Sequence, residues 1–357
     1  MSTTTLFRDP LVQHLLEPRT GPCITLLMTT HRTMPEARQD ILRLKELAKE
    51  AEARLLAHHV PRAVATILER LHAQVAAYDA TRATAGSAIF ISSDTNELVR
   101  LPFPVATRVV VGTSFSTREV VRARMGDVDH HLLVLNTKGA HLYAAQSDHL
   151  VGEMRAHGFP IENRHYTTDA LMTSTAKGQE NQLRAYHHQV DMAVRAAVGP
   201  HGRVVVAGAH EQCAHLLHGA QERALYIGEV PGNLEHGKVE AIAAKAWEVA
   251  YADQKRRQLA DLDLLSRAPD TMRVTALGDV WDLVHEGRGR TLFVERDLRI
   301  PAKRAGTTIV EAKADAADIA DAVDDIIEEQ LRKGGDVRIL PNGLLAEHHG
   351  MALMLRY

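Results

Sequence analysis

The sequence predicts a mixed fold of α/β and α+β units arranged as three consecutive domains. Amphipathic helix periodicity alternates with short apolar runs along the chain, and glycine-containing or polar stretches separate those runs. The final segment also reads as a strand–helix–strand unit complete in itself. A length of 357 residues allows two or three domains with sizeable cores.

In the first domain, residues 1–127, the apolar run CITLLM at 23–28 reads as a buried strand. Thr33 and Glu36 have capping-box spacing and Pro35 suits a first helical turn, which predicts a helix running to about His58. Ile41, Leu44, Leu47, Ala48, Ala51 and Leu55 are its inward face. A second helix is expected over 63–79, followed by strands at 87–92, 97–101 and 107–112. The turn-bearing stretch 123–131 is the expected boundary.

The middle domain, residues 128–268, opens with a hairpin signal: HLLVLN at 131–136, a turn at 137–140, then HLYAA. The segment 162–182 is too polar for a core and reads as an exposed loop. Leu183, Tyr186, Val190 and Val194 then mark an amphipathic helix. A strand at 203–208, a helix at 212–221, the strand ALYIGEV and a long helix over 238–266 complete the domain.

The third domain, residues 269–357, predicts a helix at 274–284, a strand at 291–295 and an irregular excursion over 297–313 that carries Lys303 and Arg304. A helix from Asp318 to Lys333 follows, with Ile319, Ala322, Val323, Ile326, Ile327 and Leu331 on one stripe. Gly334 is placed as its left-handed cap, and 336–340 and 351–355 are strands.

Composition narrows the function classes. Hydrophobic content of 45% and charged content of 24% are those of a soluble globular protein, and 4% aromatics argue against a base-stacking sheet face. Two distant cysteines, Cys23 and Cys213, imply no disulfide framework. Without an 18-residue apolar span or a secretory leader in MSTTTLFRDP, the expectation is a cytoplasmic protein with no membrane association. Net charge is −3, but the first domain holds 16 Lys+Arg against 13 Asp+Glu and the third 12 against 16. A basic front suits RNA and an acidic back suits a protein.

Enzymatic motifs are weak. His210 and His215 lie five apart, not four, so a helix would splay them and no metal site is expected. The stretch from Gly232 to Lys238 has phosphate-loop spacing, but Val239 stands where magnesium needs a hydroxyl, so no nucleotide cofactor is expected. The 21 histidines include pairs at 58–59, 130–131, 187–188 and 348–349, without ligand spacing. Lys177-Gly178-Gln179 sits at the tip of the polar loop, before Leu183-Arg184.

Three segments carry a family resemblance: 23–55, 101–121 leading into HLLVLNTKGAHLY, and 323–357. In order and spacing the chain resembles the bacterial branch of the archaeo-eukaryotic release-factor and Pelota superfamily, close to the Balon-type ribosome hibernation factors. The resemblance implies a three-domain Pelota/release-factor-like architecture with an L7Ae-like C-terminal domain. It also implies partners: the ribosomal A site with 16S and 23S rRNA, and a translational GTPase such as elongation factor Tu. Release factors of this kind carry Gly-Gly-Gln followed shortly by Leu-Arg, whereas this chain has Lys177-Gly178-Gln179 and one extra residue before Leu183-Arg184. The implied role is a non-catalytic, hibernating occupant of the A site, with peptidyl-tRNA hydrolysis through Gln179 as the alternative. The rRNA-binding candidates are Lys177, Gly178, Gln179 and Arg184 in the middle domain, and His31, Arg32 and Arg38 in the first.

Overall fold

The computed structural model describes residues 9–31, 33–124, 129–136, 138–163, 176–200, 202–232, 239–313, 316–317 and 319–357, with backbone alone at 129, 176, 177 and 179. Its contacts divide the chain into two compact units, one holding 1–125 with 261–357 and the other holding 126–260.

The first unit begins with α1 (Pro10–Leu16), whose amides at Leu11 and Val12 are capped by the Asp9 carboxylate. Strand β1 (Cys23–Thr29) leads to α2 (Glu36–His58) and α3 (Pro61–Ala77). Then come β2 (Gly86–Ile91), β3 (Asn96–Leu101), β4 (Arg108–Gly112) and α4 (Arg118–Arg124). The sheet order is β3-β2-β1-β4, antiparallel throughout. Alternation sends Ile24, Leu26 and Met28 of β1 into one core with Leu44, Ala51 and Leu55 of α2 and Leu71 of α3. The expected α2 face is buried there, with Ile41 partly so. The capping box does not form: Pro35 takes the cap position without a side-chain bond, so Glu36 opens the helix instead of sitting a turn inside it.

The second unit contains β5 (Asp129–Leu135), β6 (Gly139–Gln146), β7 (His149–Glu153), β8 (Ile161–Glu162) and α5 (Ala176–Val198). It continues with β9 (Val204–Gly208), α6 (His210–Gly219), β10 (Tyr226–Pro231) and the first part of α7 (Val239–Arg267). The order is β10-β9-β5-β6-β7, parallel across β10-β9-β5 and antiparallel beyond, with β8 added to β6. The sheet is covered on both faces. Leu133 and Val206 meet α5 and α6, while Leu132, Val134 and Val205 meet Ile242, Ala246 and Ala250 of α7. Double-sided burial is why β9 reads VVVAG, without polar alternation.

The end of the chain returns to the first unit through β11 (Arg273–Val274), α8 (Leu277–His285), β12 (Gly289–Glu295), β13 (Ala302–Ala305), β14 (Thr308–Glu311), α9 (Ala322–Arg332), β15 (Asp336–Leu340) and β16 (Met351–Leu355). The sheet order is β11-β16-β12-β15. Two expectations need correction here. The excursion over 297–313 is not irregular: β13 and β14 pair as a hairpin turning at Gly306, whose φ of +70° a glycine adopts without strain. Helix α9 starts at Ala322 because Ile319 spends its amide and carbonyl on Ala302, so neither is left for a helix. Asp318 lies outside the described residues.

The first and last blocks of this unit meet through buried charge. Arg118 is fully buried, donating to both Asp321 carboxylate oxygens at 3.2 and 3.0 Å and to the Leu298 carbonyl at 2.5 Å. Its amide donates to Asp324 Oδ1 at 3.1 Å, and the Thr117 hydroxyl donates to Glu328 Oε1 at 3.3 Å. Arg332 completes the network, reaching Glu328 Oε2 at 3.0 Å and the Leu16 carbonyl at 2.9 Å. Among the described residues no helix is long and apolar enough to cross a membrane.

Candidate nucleic-acid interface

The middle-domain candidates lie on α5, which starts at Ala176. Lys177, Gly178 and Gln179 therefore form its first turn and are not the tip of a loop spanning 162–182. At the other end Glu162 closes β8, and 164–175 lie outside the described residues. The helix extends this far because Ala, Lys, Gln, Glu, Leu and Arg are strong helix formers, and the apolar stripe behind them is already anchored. Tyr186, Val190 and Val194 are buried against Leu133, Val206, Cys213 and Leu216. Gly178 costs about 1 kcal/mol relative to Ala, which a packed helix of 23 residues absorbs.

Helical geometry fixes the electrostatics of this end. The aligned peptide dipoles leave partial positive charge there, which favours phosphate. One turn further on, Arg184 is exposed and donates to Glu180 Oε1 at 2.6 Å, an i, i+4 pair open to solvent.

The first-domain candidates behave differently from one another. His31 belongs to the fold: its amide donates to Asp40 Oδ2 at 2.6 Å, and its Nδ1 lies 2.9 Å from Asp40 Oδ1. Asp40 is fully buried and also receives Arg43 at 3.1 Å, so this cluster ties the end of β1 to α2. Arg38 is exposed on α2. Arg32 lies outside the described residues. The two candidate groups belong to different units.

Among the described residues no three His, Cys, Asp or Glu side chains are arranged to hold a metal ion. His210 instead approaches Glu229 at 3.3 Å. Burial pushes the Cys23 and Cys213 thiols up to about 11, so both are protonated and unreactive at neutral pH. Residues 233–238, with most of the phosphate-loop spacing, lie outside the described part.

A cleft of about 480 Å³ between α5 and α6 escaped the sequence reading. His187, His188, His215 and His218 line it with Glu180 and Arg184. The pair at 187–188 was visible in the sequence; its convergence with His215 and His218 depends on helix packing.

Residues 129–288 match the model of bacterial archaeo-eukaryotic release factor family 3. No curated protein matches the chain. Among solved structures, ribosome-bound archaeal Pelota with ABCE1 is similar at 11% identity and a TM-score of 0.46, over 98% of this chain and 94% of that one. The S. cerevisiae Dom34, a translation termination-like factor, is similar at 10% identity and a TM-score of 0.44, over 76% and 73% of the two chains. The archaeal translation termination factor aRF1 aligns at 14% identity and a TM-score of 0.26, over 100% and 99%.

Proposed function

We propose that this chain, whose residues 129–288 match the model of bacterial archaeo-eukaryotic release factor family 3, belongs to the release-factor and Pelota superfamily and acts on the ribosome as a translation factor. Its specific role in this proposal is hibernation: it occupies the A site of idle ribosomes under stress and binds rRNA without catalysis. The observation that carries the reading is Lys177-Gly178-Gln179 in the first turn of α5. Release factors have a glycine at the position of Lys177. Here a helical backbone and a cation stand there, a combination suited to gripping phosphate. Positioning a hydrolytic water tolerates misplacement of only about 1 Å, and a glutamine fixed on a helix has lost the freedom two glycines provide.

On this reading Lys177, Gly178, Gln179 and Arg184 contact 23S rRNA, and Arg38 with the His31-Arg32 corner contacts 16S rRNA. Three functional domains, 1–127, 128–268 and 269–357, divide the work. The acidic third domain, as an L7Ae-like module, meets a translational GTPase such as elongation factor Tu.

Co-sedimentation with vacant ribosomes over a salt series tests the binding claim. Affinity falls with salt at a log–log slope of about −0.7 to −0.9 per phosphate contacted. A flat salt profile would overturn it. A release assay on stalled ribosomes tests the absence of catalysis: peptidyl-tRNA hydrolysis that disappears in Gln179→Ala replaces hibernation with rescue.

A further inference from the structure

The histidines that line the cleft of the second unit have no role in that function, although Arg184 at its edge has one. Its floor is His187, only 4% exposed and stacked on His215 with ring centroids 6.2 Å apart and planes 20° from parallel. The Nε2 of His187 is sealed just under the floor and has no hydrogen-bond partner, an uncommon state for a buried polar atom. Burial, reinforced by His215, pushes this imidazole down to about 4, so it is neutral across the physiological range. Around the mouth stand exposed His188, His215 and His218, while Arg184 is bonded to Glu180.

The donor set selects the ligand class. Glu180 is the one carboxylate among the described lining residues, and Arg184 already neutralises it. The rest of the polar lining is imidazole and guanidinium, which offer N–H donors. A cation has no triad of ligands to bind among the described residues. An anion with several acceptor oxygens meets donors from two helices, and a small turn of the His187 ring brings the orphaned Nε2 to it. The volume suits a compact ligand of nucleotide size or smaller.

We propose that the cleft between α5 and α6 is a phosphate-binding site, taking the phosphate of an RNA strand or of a free nucleotide. His188, His215, His218 and Arg184 supply the donors, and neutral His187 forms the floor. The site stands without the ribosomal reading, since it needs only α5, α6 and a phosphate.

Titration calorimetry on the full chain tests it, with inorganic phosphate, a 5′-mononucleotide and a short single-stranded RNA bearing a 5′-phosphate as probes. Saturable binding is expected for each phosphate-bearing probe. It weakens at least tenfold in the double variant His188→Ala, His218→Ala, whose exposed positions leave the melting temperature unchanged. Phosphate also shifts the His187 ring nitrogen resonances. RNA binding ten times tighter than inorganic phosphate identifies a strand as the source; equal affinities identify the free ion. No saturable binding, or binding indifferent to the double variant, overturns the proposal. Ribosome co-sedimentation of the same double variant separates the two readings: intact sedimentation with lost phosphate binding shows that the site and the ribosomal role are independent.

Discussion

Arg118 and Arg184 both pair with carboxylates, yet they sit in opposite physical regimes. Arg118 is wholly out of water, with its guanidinium on Asp321 and Leu298 and its amide on Asp324. Arg184 reaches a single carboxylate across an exposed helix turn, with 71% of its side chain in solvent. Removing one partner of a buried pair strands an uncompensated charge, whereas a solvated pair exchanges its partner for water at little cost. The first arginine therefore specifies how two blocks of one unit pack, and the second is available for a ligand.

The largest expected effect of breaking this contrast is Arg118→Ala. Asp321 would lose its buried guanidinium partner inside the unit, while Asp324 keeps the backbone amide of residue 118, at a cost of about 3–5 kcal/mol measured by urea denaturation. Because α4 and α9 both use this arginine, the loss is expected in the unfolding of the whole first unit. A fall below about 1 kcal/mol would mean that water enters the junction.

Acidity sharpens the same comparison. Asp325, on the groove beside this network, is pushed up to about 7 by burial and then by its neighbours Asp324 and Asp321. Its folded value lies above the unfolded one, so the folded state holds the proton more tightly. Its contribution to stability is complete below about pH 4 and is lost as pH rises through about 7. Asp325→Asn should therefore stabilise the unit on the order of 1–3 kcal/mol at pH 8 and give no gain at pH 4. Thermal melts of variant and parent at both values check the sign; equal differences at the two pH values would refute it.

The junction also marks where sequence reading stopped. The periodicity of Ile319, Ala322, Val323, Ile326, Ile327 and Leu331 identifies a buried stripe, and all six are buried. A single stripe assigns the opposite face to solvent, but Asp324, Glu328 and Gln330 are buried as well. Thr117 and Arg118, the partners of Glu328 and Asp324, lie more than 200 positions away, and local spacing contains nothing of such a pairing. Strands β1, β12, β15 and β16 were legible because burial leaves a run of apolar residues. The β13–β14 hairpin was not, since its exposed residues carry no alternation. At α5 the stripe was legible and the start was not: polar residues 176–182 suit a loop and a solvated helix end equally, and packing of the downstream turns decided it.

The smallest stability effect belongs to Arg184→Ala, and that is what makes it informative. Losing an exposed i, i+4 pair changes stability by less than about 0.5 kcal/mol, so a denaturation curve should barely move. If Arg184 meets an rRNA phosphate, the salt dependence of ribosome co-sedimentation should lose about one unit of slope, while binding weakens uniformly at low salt. Glu180→Gln supplies the opposite control. It frees the same guanidinium from its carboxylate without removing it, and should tighten binding two- to fivefold, or about 0.4–1 kcal/mol. An unchanged slope in the alanine variant together with tighter binding in the glutamine variant would assign the effect to removal of the Glu180 charge alone. The contact would then pass to the first turn of α5, at Lys177.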